Sequence, residues 1–371
     1  MRKAIWLSVV FWALVSPVAP AFAQTSFASA PAGDAGAPEL GEQEALGFRQ
    51  GSFIAVPIPS QNPTFETGLA LGAGYLFKAD EKSANSFIGL GGYGSTNGSR
   101  VYGVATSLAF LENRWKIAFS AAEIDLNYDL IVFGLGIPLR QNGKFGSLEL
   151  SYGITSDFSL GIGARYLSTS ISPNFNIAIP PEYSSDLSTE IVSSGVLLNW
   201  DRRDDTFFSR QGTNLDMSLY HHDVLDDPRD CQRAVLTLDG YMPIGKKNVA
   251  AARITACKVT EDAPFFDACA LGAVDSFRGF SFAENIGEEL VSFQASWRGA
   301  FGKSRFGYEV FAGTGRVYKT FPGAGEPEFR SAGGIGLKYR LTKKFPLDLA
   351  LDVTLNDAGE DTTYVYVGQR F

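Results

Sequence analysis

The sequence predicts an all-β protein, a transmembrane antiparallel β-barrel of about sixteen strands. Three observations point there. Segments of about ten residues alternate apolar and polar side chains from near Ser52 to Phe371, with turn residues between them. After the first residues, no apolar run approaches the roughly 20 residues that a membrane helix requires. From the middle of the chain onward, short connections alternate with long ones.

The chain opens with Arg2 and Lys3, an apolar run from Ala4 to Val15, and a small-x-small site at Ala21-Phe22-Ala23. That is the pattern of a secretory signal peptide over 1–23, and Pro17 and Pro20 interrupt any membrane anchor. Residues 24–50, rich in Ala, Gly, Pro and Gln, read as a flexible periplasmic lead-in, and 51–371 as one outer-membrane barrel domain. The net charge is −8, and removing Arg2 and Lys3 deepens it, which argues against a nucleic-acid partner. With 3 cysteines and 2 histidines, no metal-ligand spacing occurs and no cofactor motif is present.

The first candidate strand, 52–58, lies in "FIAVPIPSQNP", where Pro57 and Pro59 lack ladder donors and weaken pairing with the last strand. Alternatively this stretch is lead-in and the barrel begins at Phe65. Strands follow at 65–78, 84–95 and 99–110. In "RVYGVATSLAF" Tyr102, Val104, Thr106, Leu108 and Phe110 form a bulky face opposite a small one. A strand at 114–121 precedes 122–145, where "IDLNYDLIVFGLGIPL" holds either another strand or a long outer loop. Strands then come at 146–155, 158–171, 188–200, 211–222, 231–243 and 246–258.

Past a long connection, 259–285, strands are expected at 286–300, 305–316, 330–341, 346–355 and 361–371. In the first of these, Val291, Phe293, Ala295 and Trp297 oppose Ser292, Gln294, Ser296 and Arg298. In "PLDLALDVTL", Leu349, Leu351 and Val353 oppose Asp348, Ala350, Asp352 and Thr354. Alternation alone suits a soluble sandwich as well. Loop lengths decide: "IGKKN", "FGKSR" and "LTKKF" are tight, whereas 172–187, 222–230, 259–285 and 317–329 are long, as between periplasmic turns and outer loops. An even strand count returns both termini to the periplasm, and the chain ends on an aromatic, Phe371, a candidate terminal assembly signal.

In "WDRRDDTFFSRQGT", Asp201 and Asp204 can cap backbone donors of a tight periplasmic turn, Arg202 or Arg203 can pair with them, and Gly212 can take the positive φ that starts the next strand. Among the cysteines, a Cys257–Cys269 bridge is favoured, because a loop adapts its geometry more readily than paired strands do. That leaves Cys231 free; the alternative is Cys231–Cys257 across a hairpin centred near Gly245. A lipase needs Ser and His side by side, yet only His221 and His222 occur and no Gly-x-Ser-x-Gly is present, so the chain is not expected to be an enzyme.

Four stretches, "SFRGF" at 276–280, "NWDRRDDTFFSRQGTNLDMSL" at 199–219, "PTFETGLALGAGY" at 63–75 and the final "YVGQRF", resemble the bacterial surface antigen family, the barrel domain of the BamA/TamA outer-membrane assembly and translocation superfamily. The resemblance covers about 51–371, without the family's periplasmic polypeptide-transport modules. It implies that the connection 259–285 folds into the lumen, with Phe277, Arg278, Gly279 and Phe280 as its anchor and an acidic wall residue facing Arg278. The family's usual aspartate, just before a glycine, is replaced here by Gly313. Glu309, on the same strand face, is the first candidate partner, followed by Asp348 and Asp352. The family further implies an outer-membrane location, contact with outer-membrane lipid and with the assembly machinery during biogenesis, and a role in protein assembly or translocation of an unknown client polypeptide. A passive pore, with Arg233, Asp239, Arg253 and Arg298 lining it, is the alternative.

Overall fold

Alternation with period two becomes one closed sheet in the computed structural model, which describes residues 47–371 apart from 81–82, 84, 133–134, 175–186, 206–207, 226–228, 274–276, 283, 303, 321–327 and 341–347. The signal peptide and most of the lead-in therefore lie outside the described residues, as does "LTKKF".

The first half contributes β1 (Ser52–Asn62), β2 (Glu66–Lys78), β3 (Asn85–Ser95), β4 (Arg100–Phe110), β5 (Trp115–Val132), β6 (Leu135–Gly153), β7 (Phe158–Pro173) and β8 (Ser188–Asp201). The second contributes β9 (Gly212–Leu225), β10 (Asp230–Ile244), β11 (Asn248–Val259), the two-residue β12 (Cys269–Ala270), β13 (Ile286–Ala300), β14 (Phe306–Thr320), β15 (Phe329–Arg340), β16 (Asp348–Asn356) and β17 (Asp361–Val367). Setting β12 aside, these form a closed 16-strand antiparallel barrel, with β11 paired to β13 and β17 returning to β1. No helix among the described residues is long and apolar enough to cross a membrane; strands do the crossing.

The barrel is inside-out relative to a soluble protein. On β16, Leu351, Val353 and Leu355 point outward with 45–57% of their surface exposed, while Asp352 and Thr354 point inward and are fully buried. On β13, Val291 and Phe293 face out and Ser292, Gln294, Ser296 and Arg298 face in. Such a surface is stable only in hydrocarbon. At the end carrying the tight turns, aromatic rings pair into a belt: Trp115 with Tyr152, Phe301 with Tyr308, and Phe306 with Tyr339, at 5.0–5.1 Å between centroids. Rings with one polar edge favour the membrane–water boundary.

Several elements differ from the sequence expectation. The first strand, expected at 52–58, forms despite Pro57 and Pro59 and runs on to Asn62, fully registered with β2 from Ser52↔Leu76 to Asn62↔Glu66. The stretch 122–145 is neither an extra strand nor an outer loop. It prolongs β5 and β6, which stay paired out to Val132↔Leu135 although β4 leaves β5 at Asp125. Polar residues recur there too often for a membrane face, which hid a hairpin that outgrows the bilayer. At the other extreme, β17 stops at Val367, so Phe371 is not on the last strand. Phe48–Gln50, read as lead-in, form a 3₁₀ turn whose Phe48 rests on Tyr75 and Phe77 outside β2, at 5.2 and 5.1 Å.

A plugged lumen and a weak seam

The connection 260–285 enters the barrel. Its residues Phe265, Phe266, Cys269, Leu271, Phe277, Arg278, Phe280 and Phe282 are all buried, which an apolar-rich segment achieves only by leaving water. A disulfide joins Cys257 on β11 to Cys269 in the connection, and β12 extends the sheet locally against β13 at Cys269↔Gly287 and Ala270↔Ile286. Cys231 is free and buried. It cannot reach Cys257, because Cys257 lies opposite Val235 while Cys231 lies opposite His222.

Arg278 sits between two carboxylates. Its Nη1 donates to Asp352 Oδ2 at 2.6 Å and its Nη2 to Glu309 Oε1 at 3.3 Å, and its guanidinium lies 3.2 Å from the Phe311 ring centre. Tyr366 also donates to Asp352 Oδ2 at 2.8 Å, and Lys338 pairs with the other oxygen of Glu309. Glu309 and Asp352 thus share the arginine, with Asp352 the nearer. Asp348 is not a partner: it is held by Arg340 at the far end of the same strand.

The neighbouring residues are shaped to this docking. Gly279 has φ +107, a conformation that costs L side chains strain, and a Cβ there would stand 2.7 Å from Ala332 Cβ. Its N–H donates to Tyr364 Oη at 2.7 Å and its carbonyl accepts from Asn356 at 3.0 Å. Gly313 makes the room that Phe277 fills, since a Cβ at 313 would lie 2.7 Å from that ring. Position 313 is therefore small because an aromatic occupies the space, and the carboxylates facing Arg278 come from Glu309 on the same strand and Asp352 on β16.

A second anchor was missed in the sequence. Asp267, in the 3₁₀ turn Phe265–Asp267, receives Arg233 Nη1 at 3.0 Å and lies 3.5 Å from His222 Nε2. His222 Nδ1 and the Ser193 hydroxyl share a 2.6 Å hydrogen bond across β8 and β9. His222 is thus a buried wall residue. The available signal was the inward parity of Arg233; nothing local indicated that Asp267 would meet it.

Toward the long β5–β6 hairpin an apolar cluster fills part of the lumen. Leu126, Tyr128 and Leu139 of the long β5–β6 hairpin join Ile171, Ile191, Val224 and Ile286 around Phe265, Phe266 and Phe282, with Tyr128 and Phe65 rings 5.1 and 5.9 Å from Phe282. Side chains pack across that part of the lumen.

At the turn after β8, Arg203 rather than Arg202 clamps Asp201, at 2.8 and 3.0 Å, while Arg202 reaches toward Asp157. Asp204 Oδ1 accepts the N–H groups of Arg210 and Gln211, and Gly212 has φ +106 with no space for a Cβ beside the Arg202 carbonyl. Of the expected lumen charges, Arg253 pairs with Asp239 at 2.6 Å, and Arg298 donates to main-chain carbonyls. Among the described residues, no group of His, Cys, Asp and Glu could hold a metal ion.

The barrel closes at its thinnest point. β1 and β17 share one registered pair, Gln61↔Val365. Continued antiparallel, that register carries Val367, the last residue of β17, to Pro59, so residues 52–58 run past the end of their neighbour. Pro57 and Pro59 remove further donors from that edge.

Residues 86–371 match the model of the Omp85 superfamily domain. No curated protein matches the sequence. Among solved structures, the chain is similar to BamA from Haemophilus ducreyi lacking POTRA domains 1–3, with a TM-score of 0.62 and 13% identity over 88% of this chain and 70% of that one. It is also similar to CdiB from Acinetobacter baumannii, with a TM-score of 0.57 and 14% identity over 85% of this chain and 59% of that one. CdiB from Escherichia coli gives 0.58 and 12% over 84% and 62%. This chain thus spans less than two thirds of either CdiB. At these identities the structures speak for the fold, a BamA-like barrel, while the match over most of the chain decides its lineage: the protein belongs to the Omp85 superfamily.

Proposed function

We propose that this barrel sits in the outer membrane with both termini in the periplasm and that it moves or inserts polypeptide through the β1–β17 seam. The observation that carries the reading is the contrast between a plugged lumen and a weak wall. An apolar cluster and a twice-anchored connection oppose free diffusion through the middle, whereas the seam is held by one registered pair and leaves 52–58 paired to β2 on one side but without a strand neighbour on the seam side. A strand edge with unmet donors and acceptors is a template for another chain. The similarity to BamA and CdiB barrels supports the reading over a passive pore. Outer-membrane barrels carry their short turns on the periplasmic side, and the end of this barrel with the tight turns supports the orientation on that ground.

The test locks the seam. A Gln61→Cys/Val365→Cys pair, facing each other in register, should form a disulfide that fixes β1 to β17. Cells carrying only the locked protein should lose at least one outer-membrane or exported polypeptide about tenfold relative to either single-cysteine control, measured by quantitative proteomics. Unchanged proteomes in both locked and deletion strains, together with an open conductance of the purified barrel in planar bilayers, would favour the pore instead.

A further inference from the structure

On β14, Glu309, Phe311 and Val317 point into the lumen, so Tyr308, Val310, Ala312, Thr314, Arg316 and Tyr318 face outward. Tyr308 belongs to the aromatic belt at the end with the tight turns. Tyr318, ten residues on, stands about 25 Å higher at the usual rise and tilt of barrel strands, and so marks the opposite boundary of the apolar band. Arg316 is therefore a cation just inside that boundary, on the lipid side of the wall. Among the described residues no ion pair or hydrogen bond satisfies its guanidinium, and its Nε is buried without a partner. Only rings attend it, Tyr318 at 4.7 Å and Phe329 at 5.3 Å. Two lysines of the same rim are already paired, Lys258 with Glu289 at 2.7 Å and Lys319 with Glu288 at 3.1 Å. A charge at the edge of hydrocarbon without a counter-ion is costly and marks a place that an anion completes.

Below Arg316 the wall is hollowed. Gly240, Ala252, Ala295 and Ala312 stand side by side in register across β10, β11, β13 and β14, and with Trp297 and Val310 they line a groove of about 740 Å³. The groove opens to lipid, since Trp297 and Val310 are exposed on the outer face. Ala312 lies four residues below Arg316 on that face, about 14 Å along the strand. Between them sit the Thr314 and Ser331 hydroxyls, hydrogen-bonded to each other at 3.0 Å. An unpaired cation at the rim thus leads down to an apolar hollow.

We propose that Arg316 and this groove form a saturable site for one phosphate-bearing glycolipid of the outer leaflet. The guanidinium pairs with a phosphate on the sugar headgroup, for which its forked N–H donors are suited. Tyr318 and Phe329 flank the headgroup, and one acyl chain descends past Thr314 into the groove, where hydrocarbon admits only an occupant without unmet polar groups. The leaflet rests on the orientation proposed above; the binding depends neither on the seam nor on polypeptide handling.

Binding is measured on the purified barrel in detergent by native mass spectrometry, without any transport assay, so this reading and the functional one fail separately. The probes are an acylated glucosamine disaccharide carrying two phosphates, the same lipid dephosphorylated, and phosphatidylglycerol. One molecule of the phosphorylated glycolipid should bind per barrel, at least fivefold more tightly than either of the others. Arg316→Ala should erase that preference, and Arg316→Lys should keep part of it. Ala312→Phe, which fills the groove, should weaken binding although the arginine remains, whereas Lys258→Ala, whose lysine is already paired with Glu289, should leave it unchanged. All four side chains lie outside the sheet, and unaltered heat-modifiable migration checks that each variant is folded. Equal affinity of the unmodified and Arg316→Ala proteins, equal affinity for the phosphorylated and dephosphorylated lipids, or phosphatidylglycerol binding as tightly as the glycolipid would overturn the proposal.

Discussion

Arg278 shows how a single cation can hold a plug. Two carboxylates and a ring face surround it in a site closed to water. Breaking a buried ion pair by removing one partner costs about 3–5 kcal/mol. Lys338 still neutralises Glu309 in Arg278→Ala, so the orphan is Asp352, left with the Tyr366 hydroxyl alone. Arg278→Ala/Asp352→Asn should therefore be more stable in urea than Arg278→Ala by itself; a double variant worse than the single would place the strain elsewhere. Gly313→Ala should also loosen the plug, because the added methyl meets the Phe277 ring at 2.7 Å and the Phe293 carbonyl at 2.8 Å, neither able to recede. Overpacking of this kind costs about 1–3 kcal/mol. Raised sensitivity of 260–285 to external protease reports it. At this scale the sequence was partly legible. Strand parity places Glu309 and Asp352 on the inner face, yet it cannot rank them, because the choice depends on where a connection without periodicity sets its guanidinium.

Among elements, the connection 260–285 is fixed at separate places: the Asp267 anchor, the Cys257–Cys269 bridge and the Arg278 anchor. The bridge spans a sequence separation of 12, for which the chain-entropy model gives about 3 kcal/mol. Reduction with a membrane-permeant thiol should lower the unfolding midpoint and expose residues near 269 to a thiol probe, while Cys231 stays buried. Unchanged proteolysis after reduction would mean that the ionic anchors alone position the segment. Long strands read easily from their alternation, but their ends did not. β5 and β6 run on past the membrane because Leu126, Tyr128 and Leu139 find an apolar roof in the plug, a tertiary reason with no local signature. Similarly, β17 ends early because Phe371 finds a better burial site across the mouth than on the wall.

For the molecule as a whole, the inside-out surface and the filled lumen lead to opposite behaviours in two assays. An apolar exterior on a closed hydrogen-bonded sheet resists detergent, so the unboiled protein should migrate faster than the boiled one on SDS gels. Identical migration combined with recovery in the soluble fraction would contradict a membrane barrel. A closed wall alone would conduct as a porin does, but the cross-section holds Phe265, Phe266 and Phe282 against the β5–β6 hairpin and is spanned by anchors on both sides. The resting barrel should accordingly pass little ion current in planar bilayers. Replacing 261–284 with a short Gly-Ser linker removes the rings, Asp267 and Arg278 together and leaves Arg233, Glu309, Asp352 and Lys338 lining a wetted channel. Conductance should then rise at least tenfold while heat-modifiable migration persists, since the wall ladder does not depend on the plug. If the unmodified barrel already conducts like the shortened one, the plug does not close the lumen, and transport through the middle regains its standing against passage through the seam.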